Sequence, residues 1–230
     1  MLTELSDAFL HLFYPMLCYA CDETETNPEE KLCIRCLHDL PFTDYENIRD
    51  NPVEKLFWGR VEIGIVFATL YYHEKSSVQR IIHEIKYKHN PALAVHMGKL
   101  MGIRMQPITE VPTIDFCIPM PLHPKKMKRR GYNQAAELCK GIEMTTHLTM
   151  LEHALVRSKN TGTQTKKSRI ARWDNVEEVF LVEDPIIIKG KHILLVDDVI
   201  TTGASTEACA QSLFQAGASK VSIAGLAFTP

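Results

Sequence analysis

The segment Ile193-Leu194-Leu195-Val196-Asp197-Asp198-Val199-Ile200-Thr201-Thr202-Gly203-Ala204-Ser205-Thr206 decides how this chain is read. Its apolar opening predicts a buried strand, which in an open sheet presents ligand-facing groups at its carboxyl end. Two carboxylates stand there, followed by a turn of small and hydroxyl-bearing residues. A helix predicted from about Ser205 to Ala216 ends at Gly217, a usual residue just past a helix terminus. Backbone N–H groups at that helix start, together with Thr and Ser hydroxyls, make an anion cradle. Gly203 permits a positive φ and close approach of the backbone to the anion. The two acids would repel an anion, so they need another task. Accepting hydrogen bonds from a sugar diol, or holding Mg2+ through water, fits. The plainer alternative is a strand–turn–helix junction in which Asp and Thr serve only as caps.

Outward from this segment, strand and helix patterns alternate. Val61 to Tyr72 is β-branched and aromatic, enough for one strand or a hairpin. Val78, Ile81, Ile82 and Ile85 mark a helix face, and a second helix is predicted from Ala92 to about Met105. Ile114 to Met120 is a short apolar strand that breaks into a Pro-rich basic loop. Gly131 to Met144 reads as helix, Ile186–Ile188 and His192–Val196 as β, and Val221 to Phe228 as the last strand. This order predicts an α/β fold: an open, mainly parallel sheet flanked by helices. Residues 5–14 carry helical spacing, and 38–60, with Pro41, Pro52 and Gly59, read as linker. The division expected is a cysteine module over 1–50 and the α/β domain over 51–230.

Of the 230 residues, 23% are charged and the formal net charge is −2, so charge gives no support to a nucleic-acid partner or an acidic membrane. No apolar run reaches the roughly 20 residues that cross a bilayer. The first residues carry acids where a secretory signal carries Lys or Arg. A cytoplasmic location is expected.

Four of the seven cysteines are paired, as Cys18-Tyr19-Ala20-Cys21 and Cys33-Ile34-Arg35-Cys36. Two C-x₂-C knuckles offer four thiolates to a tetrahedral ion. Such a set leaves no open coordination position, so a structural Zn2+ is expected. Iron–sulfur ligation and a pair of disulfides remain open on spacing alone. His38 is the bystander of this set. The acids between the knuckles (Asp22, Glu23, Glu25, Glu29, Glu30) disfavour a phosphate-facing surface, so a structural role or a protein partner is expected of the module. Cys117, Cys139 and Cys209 sit among apolar neighbours and read as core.

A second basic element is Lys125-Lys126-Met127-Lys128-Arg129-Arg130, followed by Gly131-Tyr132-Asn133-Gln134. Next to a strand end, such cations suit a multiply charged leaving group. A solvated surface run is the plainer reading for Lys125, Lys126 and Lys128. Thr161 to Lys167 is rich in Gly, Thr, Gln and Lys.

The 193–206 segment resembles the signature of type I phosphoribosyltransferases. The resemblance implies that Asp197 and Asp198 bind the ribose 2′- and 3′-hydroxyls of phosphoribosyl pyrophosphate, and that Thr201–Thr206 hold its 5′-phosphate. Ala204 departs from the second Gly of many members. With Arg130-Gly131-Tyr132-Asn133-Gln134, the Arg157–Gln164 stretch and the Cys module, the chain is similar to the ComF (GntX-like) family. That family implies Mg2+ together with the substrate, a hood over 161–167, and Lys86 at a short pyrophosphate loop. The expected catalytic set is Asp197, Asp198, Arg130 and Lys86. Expected substrate contacts are Val199, Thr201, Thr202, Gly203, Ala204, Ser205, Thr206, Tyr132, Asn133 and Gln134. Transfer of the phosphoribosyl group to a nitrogenous acceptor is one expectation. A phosphoribosyl- or nucleotide-binding accessory protein without turnover, linked to DNA uptake or nucleotide salvage, is the other. No base-reading residue or general base is evident.

Overall fold

The computed structural model describes residues 16–26, 29–108, 111–159 and 178–230. The expected helix over 5–14 and the hood over 161–167 lie outside them.

Seven strands are described: β1 (Val66–Tyr71), β2 (Phe116–Pro119), β3 (Thr149–Met150), β4 (Leu155–Lys159), β5 (Glu178–Val182), β6 (His192–Ile200) and β7 (Lys220–Phe228). The helices are α1 (Ile34–His38), α2 (Pro52–Lys55), α3 (Ser77–Tyr87), α4 (Pro91–Met105), α5 (Pro124–Arg130), α6 (Gln134–Thr146), α7 (Pro185–Ile188) and α8 (Ala204–Gln215). A five-stranded sheet runs in the order β1-β7-β6-β2-β3, every pairing parallel, and β4 with β5 forms an antiparallel pair apart from it. The open parallel α/β architecture expected from sequence is present.

Parallel strands covered on both faces carry near-continuous apolar runs, and successive residues point to opposite faces. In β6, Leu194 and Val196 enter one core with α3, α4 and α6, while Ile193 and Leu195 enter the other with α8. Cys117 and Cys139 are fully buried in the first core and Cys209 in the second, as small apolar residues. Helices α4 and α6 pack backbone to backbone. A Cβ at Gly98 would stand 2.1 Å from the Leu138 carbonyl oxygen, and one at Gly141 2.2 Å from that of Val95.

Three expectations are corrected. The stretch 186–188 is helical: Pro185 sits in the first turn and Asp184 Oδ1 accepts from the Ile186 N–H at 3.0 Å, so local capping overrides β propensity. The basic 124–130 stretch is a helix as well. Pro124 opens it, His123 Nδ1 accepts from the Lys125 N–H at 3.1 Å, and Gly131 at φ +78° closes it. The supposed linker is packed structure. Phe42 bridges Leu70, the buried Asn51 side chain donates to the Val66 carbonyl at 2.7 Å, and Arg104 Nε donates to Glu46 at 2.8 Å. Polar residues that look like loop at sequence level here satisfy backbone groups of β1.

The cysteine module shares the core of the α/β unit. Cys18, Ala20, Leu32, Cys33 and Leu40 belong to one buried cluster with Val78, Ile81, Ile82 and Ile85 of α3.

Candidate functional site: the crevice between β2 and β6

From β2 the chain proceeds to β3 on one side, and from β6 to β7 on the other. The direction of winding therefore reverses between β2 and β6, and ligands of open α/β sheets occupy the crevice outside the strand ends at such a point. The segments that leave these two strands are 120–134 and 197–206. They meet there around a cavity of about 170 Å³. Asp197, Asp198, Lys86, Arg130, Asn133, Gln134 and Ser205 line it together, so seven of the expected site residues converge from three regions of sequence.

The acids sit at the end of β6, beyond its fully buried half. The Asp198 N–H donates to Asp197 Oδ1 at 2.8 Å. Lys86 Nζ lies 3.0 Å from Asp198 Oδ1, with side-chain exposures of 18% and 16%, so the pair is largely shielded from solvent. Burial first, and then the neighbouring Asp198 charge, push the Asp197 carboxyl up from 3.8 to about 7; Lys86 and Lys126 pull the other way. A carboxyl poised near neutrality in a cleft marks a functional site more often than a structural one. Lys86 belongs to the last turn of α3, not to a loop.

Arg130 is 8% exposed, although it ends a basic helix. Its Nη1 donates to Gln134 Oε1 at 2.7 Å, its guanidinium lies 5.6 Å from the Tyr87 ring centroid, and its buried Nε has no hydrogen-bond partner among the described residues. A buried, unsatisfied donor on a cation lining a cavity fits an anionic ligand. Gln134 Nε2 donates to the Tyr132 carbonyl at 3.1 Å, and Asn133 donates to the Met120 carbonyl at 3.0 Å while its Oδ1 caps the Ala135 N–H at 3.1 Å. The Tyr132 hydroxyl donates to the Ile85 carbonyl. Gln134 thus holds Arg130, Tyr132 holds the end of α3, and Asn133 ties the start of α6 to the end of β2, so all three side chains make hydrogen bonds within the protein.

In the turn, Thr201, Thr202, Ala204 and Ser205 are exposed, and Gly203 is buried. Gly203 has φ +74° and caps α8, and a Cβ there would meet the Phe57 ring at 3.0 Å. Ala204 opens the helix, and its φ is not among the positive ones. The Thr202 hydroxyl lies 3.5 Å from the Ala204 N–H. Thr206 is 2% exposed, so what it offers outward is its amide. Val199 and Thr201 face a second, adjoining cavity.

Sequence reasoning missed Arg157, which lines the same cavity from β4 with its guanidinium 5.6 Å from the Phe180 ring centroid. Its only sequence signal was its place at the head of the Arg157–Gln164 stretch. Lys126 also lines the cavity, although its neighbours suggested a solvated run.

The four knuckle cysteines form a separate cluster, their Sγ atoms all within 4.8 Å of one another. Cys18 Sγ accepts from the N–H groups of Ala20 at 3.4 Å and Cys33 at 3.3 Å, and Cys33 Sγ accepts from Cys36 at 3.5 Å. Backbone N–H groups of Glu23 and Thr24 lower the Cys21 thiol to about 6, and that of Cys36 lowers Cys33. Burial raises Cys36. Amide donors aimed at sulfur favour thiolates, so this set can hold a metal ion.

Residues 127–230 match the model of the phosphoribosyl transferase domain family. The DNA utilization protein YhgH of Escherichia coli K12 is 30% identical over 146 residues, which are 62% of this chain and 63% of that protein. Competence protein F of Haemophilus influenzae is 33% identical over 111 residues, 48% of each chain. Competence protein ComFC of Bacillus subtilis is 32% identical over 100 residues, 44% of this chain and 38% of that protein. The match to YhgH thus spans a little under two thirds of its length. Among solved structures, the glutamine phosphoribosylpyrophosphate amidotransferase of B. subtilis aligns with a TM-score of 0.40 at 18% identity, covering 60% of this chain and 26% of that one. Residues 127–230, a little under half of the chain, match the phosphoribosyl transferase domain family, in agreement with the parallel sheet and the diacid turn, and the chain is similar to the competence and DNA utilization proteins over those stretches.

Proposed function

We propose that the crevice between β2 and β6 binds phosphoribosyl pyrophosphate with Mg2+ and transfers its phosphoribosyl group to a nitrogenous acceptor, releasing pyrophosphate. One observation carries this reading: the Asp197–Asp198 pair shares a cavity with a buried guanidinium that keeps an unpartnered donor.

In this reading the carboxylates of Asp197 and Asp198 accept hydrogen bonds from the ribose diol, and the Thr201–Thr206 amides and exposed hydroxyls take the 5′-phosphate. Arg130 and Lys126 face the pyrophosphate end, where they offset the charge that grows as the C1–O bond breaks. Lys86 neutralises Asp198 before the ligand arrives. This lets two acids coexist in a shielded site. Mg2+, bound with the substrate, supplies further neutralisation of the leaving pyrophosphate. A positively charged ribose centre develops at C1, and the nearby carboxylates favour it. Gln134 acts as a positioning residue for Arg130, Tyr132 for the end of α3 and Asn133 for the start of α6. The cysteine module holds Zn2+ as a structural ion, through all four thiolates.

A second reading is favoured by the names of the relatives, competence and DNA utilization proteins. It keeps the ligand and drops the turnover, so that the chain serves DNA uptake as a binding accessory. Calorimetry with phosphoribosyl pyrophosphate and Mg2+ tests what the two readings share. Binding should weaken by more than about a hundredfold, or ~2.7 kcal/mol, in Asp198→Asn combined with Thr202→Val. Equal affinity in that variant sinks both. Pyrophosphate release across bases, ammonia and amines then separates enzyme from binder.

A further inference from the structure

A second and larger cavity, about 840 Å³, opens beside the diacid turn, between α3 and the carboxyl ends of β1, β6 and β7. It touches the first through Lys86, which lines both, and it reaches the anion turn at Val199 and Thr201. Its volume is that of a small-molecule site. Its chemistry has two halves. One wall is aromatic: Tyr72, Tyr87 and His83, the last two with ring centroids 5.0 Å apart and planes tilted by 45°. The other carries Lys75 and Arg80, both exposed, with Gln79 between them on α3. No Asp or Glu is among its described lining residues. A neutral apolar acceptor would gain nothing from the two cations, and an ammonium-bearing acceptor would be repelled by them.

We infer that this cavity is the acceptor subsite, and that it takes a planar nitrogen heterocycle bearing an anionic substituent, a carboxylate or a phosphate. The inference rests on the reading of the diacid crevice as the phosphoribosyl pyrophosphate site. The ring stacks on the Tyr87–His83 wall while its anionic group lies toward Lys75 and Arg80. Its nitrogen lone pair then forms the bond to ribose C1 as the C1–O bond breaks. The electron pair of the broken C1–O bond leaves with pyrophosphate, and the ring N–H proton passes to solvent through the open side. No oxidant, reductant or further reactant is required. No acid is among the described lining residues to read a base edge, and the Gln79 amide oxygen is already engaged by the Lys75 N–H at 2.7 Å, so recognition is by stacking and by charge.

The test uses paired probes that keep a free ring N–H and differ only in the anion: orotate against uracil, and imidazol-4-ylmethyl phosphate against 4-hydroxymethylimidazole. Titrated into the full chain, one charged member should bind at least about tenfold more tightly than its neutral partner, and which pair shows the difference distinguishes carboxylate from phosphate. Lys75→Ala with Arg80→Ala should erase that preference while leaving the unfolding temperature and the affinity for phosphoribosyl pyrophosphate unchanged. Equal binding of charged and neutral members in both pairs overturns the inference. So does a charge preference that survives the double variant. Failure of the unmodified chain to bind phosphoribosyl pyrophosphate sinks the proposed function instead, and is read in a separate titration.

Discussion

Replacing Asp197 by Asn should make the free protein more stable at pH 8 and abolish its ligand binding. The sign follows from linkage. The Asp197 carboxyl titrates at about 7 in the folded chain against an ordinary 3.8, so between those values the folded state holds a proton that the unfolded state has lost. A group raised in this way lowers stability as pH rises from about 4 to about 7, and the loss is complete above that. At about 1.4 kcal/mol per pH unit the ceiling is about 4 kcal/mol. The residue is only half-buried and its charge is shared with Asp198 and Lys86, so about 2 kcal/mol is the expected effect. For a chain of this size that is roughly 4–8 °C in unfolding temperature. Asn keeps an Oδ1 to accept the Asp198 N–H, so the change removes charge and leaves the local hydrogen bond. Thermal unfolding of both proteins from pH 5 to pH 8, without ligand, reads the result. The variant should gain on the parent from pH 5 to about pH 7 and hold that gain to pH 8, and other titrating groups cancel in the difference. A gap that stays constant with pH would refute the claim that two carboxylates are forced together in a shielded site.

Gly203→Ala combines a φ of +74° with a Phe57 contact at 3.0 Å; it should cost about 1–2 kcal/mol of stability by chemical denaturation and weaken ligand binding measured by calorimetry. Gln134→Ala removes the partner of Arg130 Nη1; pyrophosphate affinity should fall by about tenfold, while Gln134→Glu, which keeps an acceptor, should retain most of it. Cys33→Ser, or a strong chelator, should release one zinc per chain by elemental analysis and lower the unfolding temperature, since Cys33 is part of the main apolar cluster. Binding should rise as pH passes from 6 to 8, because Asp197 accepts a second hydroxyl donor only when ionised; calorimetry at the two pH values checks this.

Much of the site was legible because its chemistry is local in sequence. The β6 acids, the Gly203 turn and the α8 start lie within fourteen residues, and each has a direct physical meaning. The cysteine pairs are legible for the same reason. What sequence did not disclose is set by distance. Lys86 was singled out only through the family resemblance, and there as a loop residue; its contact with Asp198, 112 positions away, and its place in the last turn of α3 had no local signal. Tyr132, Asn133 and Gln134 were expected as ligand contacts; Asn133 and Gln134 line the crevice, and polar residues at a helix start beside a site suit ligand contact and structural bonding equally. Their assignment depends on where Met120, Ile85 and Arg130 stand. The 38–60 segment and the 186–188 turn were misread where capping and long-range bonds outweigh local propensity.

Helix α3 ties these separate features together. Its apolar face (Val78, Ile81, Ile82, Ile85) is buried with Cys18, Ala20, Leu32 and Cys33 of the cysteine module. Its last turn delivers Lys86 to Asp198 and holds Tyr132 through the Ile85 carbonyl. Its outer side contributes Arg80, His83 and Tyr87 to the walls of the larger cavity. A rigid helix that shifts at one end shifts at the other, so a module that fixes α3 also fixes the distance between Lys86 and the acids. A charged pair 3.0 Å apart loses its hydrogen bond if that distance grows by even an ångström. A metal held by the four cysteines would therefore belong to the means by which the crevice keeps two carboxylates and a cation in register. Its removal should weaken ligand binding as well as stability.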